Sequence, residues 1–186
     1  MICINFDPVI AKANGCNITC SQSMVYLRSV IAADCHNTSE INRRIGLANS
    51  EFASLQKVWS HANLSVRKKI ALFHALVVPK LMYALDGIWL NQCQRRRLDS
   101  FHVGCIRRIV KIQHAYYSRI SNEDVLKAAH STPLSLLLLR NQLKSFGRIA
   151  SLDYHNYVRE MIFEPDDSFA LKSSSFQRKQ GRPRLT

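Results

Sequence analysis

The sequence predicts a mainly α fold: about five helices behind a short N-terminal β-hairpin fringe, ending in a mobile basic tail. Three observations predict it. Apolar residues recur at spacings of three and four from Asn37 to about Leu152. The first 36 residues instead hold β-prone runs around Asn14-Gly15, a strong hairpin dipeptide. Beyond residue 152 the periodicity lapses into Pro165-Asp166-Asp167, Ser173-Ser174-Ser175 and a basic end. The expected division is therefore 1–36, 37–152 and 153–186.

Strand signals come first. Ile2 to Phe6 and Cys16 to Cys20 flank Asn14-Gly15, where a type I′ turn needs positive φ at both central residues. Met24-Val25-Tyr26-Leu27 is β-prone and continues to Ile31. Such short strands cannot form an independent domain.

Helix signals follow. Asn37 and Glu40 have capping-box spacing, and Ile41, Ile45, Ala48, Phe52, Leu55 and Trp59 then form one stripe. Arg43, Arg44 and Lys57 fall off it. Ser65 is the expected N-cap of a second helix, with Val66, Ile70, Phe73 and Val77 inward. Pro79 is expected to kink or restart that helix, because it lacks an N–H and clashes with the preceding turn. Asn91 and Gln94 open a third helix, which runs to Ile112 and buries Leu98, Phe101, Cys105, Ile109 and Ile112. Its basic residues cluster near the ends. Ser121-x-x-Asp124 starts a short helix through about Ala129. Thr132-Pro133 reads as N-cap plus N1 proline of a last helix, with Leu136, Leu139, Leu143, Phe146 and Ile149 inward.

Composition narrows the function. At 47% hydrophobic the 186 residues can bury a real core, which excludes wholesale disorder. Lys and Arg number 26 against 13 acids, a net charge of +13 that favours a polyanionic partner. Residues 91–186 carry 17 basic and 8 acidic side chains, against 9 and 5 in residues 1–90. The second half is the expected contact. No run of about 18 apolar residues exists, so no membrane-spanning helix is expected, and a membrane-surface partner is disfavoured because the helices need their apolar faces for each other. The start lacks a basic-then-apolar export pattern, so an intracellular setting is expected, with the six cysteines as thiols. Cys16, Cys20, Cys35 and His36 match no usual structural-zinc spacing, and no metal site is expected.

Catalytic signals are missing. There is no Gly-rich phosphate loop, nucleophile elbow or metal-binding His/carboxylate cluster at helical spacing. Asp166-Asp167, the one paired carboxylate, sits beside Pro165 and reads as a solvated turn. No catalytic residue and no cofactor are expected.

Several segments, in order, resemble a known family. They are Tyr26-Leu27-Arg28-Ser29-Val30-Ile31, Glu40 to Ala48, Leu81-Met82-Tyr83-Ala84-Leu85-Asp86-Gly87-Ile88-Trp89, Gln94 to Phe101, Arg107-Arg108-Ile109, Phe146-Gly147-Arg148-Ile149 and Gly181-Arg182-Pro183-Arg184-Leu185-Thr186. Together, from about Met24 onward, they look like the C-terminal part of a LINE-type (non-LTR) retrotransposon reverse transcriptase: the end of the palm, the helical thumb and the region after it. The resemblance implies that Tyr26, Leu27, Arg28 and Ser29 form a primer-grip-like hairpin, and that the helices track a template–primer duplex. It also implies that the Tyr/Phe-x-Asp-Asp aspartates, with their Mg, belong to a palm and fingers outside this chain. No polymerase activity is then expected of the chain alone. The sequence departs from the family where Arg28 and Ala84 replace glycines, and where Cys35 follows Asp34 in place of Gly. A side chain at a positive-φ turn costs about 1 kcal/mol. These departures read as decay of a truncated element.

The expected partner is RNA, DNA or an RNA–DNA hybrid, held by phosphate contacts. The candidates are Arg95, Arg96, Arg97, Arg107, Arg108 and Lys111 on the third helix and Arg43, Arg44, Arg67, Lys68 and Lys69 on the first two. The hairpin residues Tyr26, Leu27 and Arg28 join them through the resemblance, and Arg182 and Arg184 through a Gly-Arg-Pro-Arg that resembles an AT-hook core. Tyr116 and Tyr117, beside His114 and Arg119, are expected to pack rather than to stack on bases. The alternative is a basic helical protein-interaction module, using Leu136 to Leu139 or the first helix.

Overall fold

A computed structural model describes residues 12–13, 16–17, 21–33, 37–60, 63–153 and 155–163. The fold is mainly α, as the periodicity predicts. β1 (Lys12–Ala13) pairs antiparallel with β2 (Cys16–Asn17), Lys12 opposite Asn17 and Ala13 opposite Cys16; Asn14-Gly15 lies outside the described residues. The other expected strand, Ile2 to Phe6, lies outside the described residues, as do Cys20, Cys35, His36, Arg182 and Arg184.

The β-prone run from Met24 to Ile31 turns back on itself at Leu27-Arg28, a hairpin at the positions where the resemblance implies one. Its strands are β3 (Ser23–Tyr26) and β4 (Ser29–Ala32), with Tyr26 opposite Ser29. Leu27 (φ 45°) and Arg28 (φ 63°) make the link in left-handed backbone. Ala84, the other position at which the resemblance would place a glycine, has φ 61°. Both non-glycine departures thus sit where glycine is favoured. Arg28→Gly and Ala84→Gly are each expected to raise the unfolding free energy, by up to about 1 kcal/mol less the added freedom of the unfolded chain. A higher urea midpoint checks this; a lower one for both contradicts it.

Among the described residues eight helices follow, five of seven residues or more and three of four or five. α1 (Thr38–Ser54) and α2 (Gln56–Ser60) together carry the predicted stripe, interrupted at Leu55, whose carbonyl accepts from Val58 and Trp59. Ile41, Ala48, Phe52 and Trp59 are buried. The capping box is not used. Asn37 makes no side-chain cap bond and instead donates from Nδ2 to the Trp89 carbonyl at 3.1 Å, while Glu40 turns inward.

α3 (Val66–Met82) starts at Ser65, whose Oγ accepts from Lys68 N–H. Ile70, Phe73 and Val77 are buried, but Val66 is exposed. Pro79 does not restart the helix, which runs on to Met82. Phe52 stacks on Trp59 at 5.3 Å and meets Phe73 edge-on at 6.0 Å, a buried aromatic cluster joining α1, α2 and α3.

α4 (Gln92–Val110) has the full predicted capping box: Asn91 Oδ1 accepts from Gln94 N–H at 2.8 Å, and Gln94 Oε1 from Asn91 N–H at 2.9 Å. Leu98, Cys105 and Ile109 are buried, Phe101 and Ile112 partly so. The helix stops at Lys111, in left-handed backbone, rather than at Ile112. It packs on α1, α2, α3 and α6. α5 (Ala115–Ser118) and α6 (Asn122–Ala128) follow, the latter capped by Ser121 as predicted.

α7 (Leu134–Ala150) is the main correction. Leu134 and Leu138 are buried, whereas the predicted inward residues Leu136 (55%), Leu143 (62%) and Phe146 (46%) are exposed. Its first turn is capped not by Thr132 but by Asp99 of α4, whose Oδ1 accepts from Ser135 N–H at 2.9 Å. On the Leu134–Leu138 side, Gln142 donates to the Ile88 carbonyl at 2.8 Å.

The chain divides into two compact units, Met1–Gln142 and Leu143–Thr186. In the second, α8 (Tyr157–Glu160) is capped by Asn156, whose Oδ1 accepts from Val158 N–H at 3.0 Å. Buried Arg159 donates to the Ala150 and Leu152 carbonyls, and its guanidinium lies 5.3 Å over the Phe163 ring.

Candidate nucleic-acid interface

The predicted cations separate into exposed groups and groups held by the protein itself. On α4, Arg97 and Arg108 are eleven residues apart, close to three full turns, so they share a face about 16 Å apart along the axis. Arg96, Arg97, Arg108 and Lys111 are exposed. Among the described residues the ion pairs are Glu40 with Arg43 and Arg44, and Glu51 with Lys80, so none of these four is neutralised. Arg95 is half-buried, donates to the Leu90 carbonyl at 3.1 Å and lies 4.8 Å over the exposed Trp89 ring.

Arg107 is a correction. It is buried and holds the following loop, donating to the carbonyls of Gln113 (3.1 Å) and Ile120 (2.7 Å), Ser118 Oγ (3.4 Å) and Asn122 Oδ1 (3.1 Å). Arg44 and Lys69 are likewise buried. Lys69 Nζ donates to the Trp59 carbonyl at 2.8 Å, while Arg67 and Lys68 beside it at the start of α3 are exposed. Cations in the first turn oppose the helix dipole, so Arg67 and Lys68 add nothing to helix stability from there.

The β3–β4 turn is anchored to the helices through its backbone. Tyr83 Oη donates to the Leu27 carbonyl at 3.1 Å, and Arg43 Nη1 to the Arg28 carbonyl at 2.8 Å. Arg44 donates from Nη2 to that same carbonyl and from Nε to buried Glu40, which also accepts Val30 N–H at 2.7 Å. Arg28, Arg43 and Arg44 thereby line one cleft of about 530 Å³ with Lys80 and Tyr83. The side chains of Tyr26 and Leu27 are exposed. The hairpin turn and the α1 arginines, 15 and 16 residues apart in sequence, come together here. The α4 cations line no part of this cleft.

Sequence reasoning missed a buried polar cluster. Ser131 Oγ lies 3.1 Å from His74 Nε2 and 3.4 Å from His102 Nε2. His102 is fully buried, stacked on Phe73, and its Nδ1 has no partner. Burial, and secondarily the nearby His74, lower its pKa to about 4 against a smaller opposing pull from Asp99; burial lowers that of His74 too. Nothing in the spacing of residues 74, 102 and 131 announces this. The Cys105 thiol is pushed up to about 12 by burial, against the pull of Arg108. It is therefore an inert packing group at neutral pH.

Among the described residues no group of three or more His, Cys, Asp or Glu is placed to hold a metal ion, and no helix is long and apolar enough to cross a membrane. No protein-family model, curated protein or solved structure matches this chain.

Proposed function

We propose that this chain is a thumb-like part of a LINE-type reverse transcriptase that holds template–primer nucleic acid by its backbone and does no chemistry alone. The observation that carries the reading is the exposed, unneutralised set Arg96, Arg97, Arg108 and Lys111 along α4. Phosphates along one strand are about 3.4 Å apart axially, so cations about 16 Å apart on one helix face reach backbone positions several nucleotides apart. The left-handed backbone at Arg28 and Ala84, both glycine positions in the family, supports the resemblance independently of charge. The sequence has no Tyr/Phe-x-Asp-Asp motif, in keeping with a holding role.

The test is binding of the full chain to an RNA–DNA hybrid duplex across a salt series. Four phosphate contacts predict a log–log slope of about −3 to −4. No binding at about 50 mM salt contradicts the reading. Exposed Leu136, at the start of the Leu136 to Leu139 run on α7, favours the second reading, a protein-interaction module. That reading predicts a flat slope.

A further inference from the structure

The segment between α4 and α6 presents aromatic rings to solvent from a backbone that is fixed at both ends. Tyr116 and Tyr117 on α5 are 69% and 74% exposed, so the expectation that they pack is corrected. Trp89 (71%) and Tyr157 (80%) are as open; what sets Tyr116 and Tyr117 apart is that two such rings stand side by side in contact. The two rings meet edge-to-face at 5.3 Å, and the Arg119 guanidinium lies 5.4 Å over Tyr116. His114 Nδ1 accepts from Tyr116 N–H, closing the turn beneath them.

The base of this segment is rigid for a stated reason. Arg107, buried at the end of α4, donates to four acceptors between Gln113 and Asn122, so one guanidinium ties down both sides of α5. Lys111 (φ 62°) and Arg119 (φ 56°) bracket α5, both in left-handed backbone that non-glycine residues adopt only when the surroundings impose it. The segment is also purely cationic. From Ser100 to Asn122 the sequence has Arg107, Arg108, Lys111 and Arg119 and no acid.

We propose that Tyr116 and Tyr117 form a stacking platform for the unpaired bases of a single-stranded polynucleotide, with Arg119 as its cationic flank. The inference deepens the nucleic-acid reading and rests on it. Unpaired bases are the occupant that fits, because each offers a flat π-face to the tyrosines and a phosphate to the flanking cation. A duplex keeps its base faces stacked internally and offers only phosphates, which suit the α4 cations instead. Stacking does not depend on the sugar, so RNA and DNA single strands share this chemistry.

The experiment measures binding of the full chain to a fluorescent single strand of about ten nucleotides, as RNA and as DNA, and to an abasic strand of equal length. The variants are Tyr116→Ala/Tyr117→Ala and Tyr116→Phe/Tyr117→Phe. The alanine pair should lose roughly 10- to 100-fold in single-strand affinity and bind no tighter than the wild type binds the abasic strand. The phenylalanine pair should keep the affinity, since the rings remain. Whichever of the RNA and DNA arms binds tighter identifies the strand taken. The salt slope of the alanine pair should be unchanged, because no phosphate contact is lost. Equal binding of abasic and normal strands by the wild type, or unchanged affinity in the alanine pair, overturns the platform. Hybrid-duplex binding by that same pair then reports separately on the α4 surface. Self-association of the wild type that the alanine pair abolishes, with no effect on single-strand binding, assigns the rings to a second copy of the chain and also overturns the proposal.

Discussion

Glu40→Ala is expected to lower the unfolding free energy by about 3–5 kcal/mol, the cost of removing one partner from a buried ion pair. Glu40 and Arg44 are 1% and 3% exposed, one turn apart on α1. The carboxylate holds the Arg44 guanidinium and also accepts Val30 N–H of β4, so it joins the hairpin to the first helix. Its loss strands a cation and a backbone donor away from water. Replacing both partners, as Glu40→Met/Arg44→Met, removes the stranded charge and should recover part of the loss. Urea unfolding measures all three chains. A cost under about 1 kcal/mol for Glu40→Ala would contradict the buried pair.

Acid should destabilise the protein well before its carboxylates titrate. The pKa of His102 is lowered from the usual 6.5 to about 4 by burial, so above pH 6.5 the residue is neutral folded or unfolded and has no effect. Below that, the unfolded chain takes up a proton that the folded chain refuses, and stability falls with pH until about 4. The window spans about 2.5 pH units at about 1.4 kcal/mol each, a loss of about 3 kcal/mol. His74, shifted in the same direction, adds to it. His102→Leu removes the ionisable ring and its unpartnered Nδ1, so it should flatten the decline between pH 6.5 and 4 while costing little at pH 7.5. Equal pH slopes for the wild type and His102→Leu would show that the cluster is not the acid-sensitive element.

Where local physics decides the structure, it can be read from the residues. Asn91 and Gln94 form their capping box because both partners lie within one turn of chain. Asn37 and Glu40 have the same spacing and do not, because the Trp89 carbonyl and Val30 N–H offer them tertiary partners and Arg44, one turn on, takes the Glu40 carboxylate. The phase of α7 was illegible for another reason. Leu136 to Leu139 are four consecutive leucines, so every helical phase satisfies the apolar pattern. The phase is chosen by Leu134, Leu138 and then Gln142, a polar residue that amphipathic reasoning sends to solvent but that bonds the Ile88 carbonyl. Among the site residues, Arg107 and Arg108 are indistinguishable by type and adjacent in sequence. The 100° between neighbours on a helix buries one and exposes the other. For Glu40 and Arg44 the i,i+4 spacing was a usable signal. Its burial was not, since that depends on how the β3–β4 hairpin docks on α1, which the i,i+4 spacing does not encode.

The central claim, that α4 meets phosphates, is tested most directly by Arg96→Gln/Arg97→Gln/Arg108→Gln, with Arg107 left in place to keep the fold. Gln is a comparable helix former, so far-ultraviolet circular dichroism should be unchanged. Measured on the RNA–DNA hybrid duplex, the log–log salt slope should flatten by about 0.9 for each lost contact, close to three units if all three arginines bind, with affinity falling about equally for unrelated duplex sequences. A folded variant with the slope and affinity of the wild type would place the contact surface elsewhere and contradict the account.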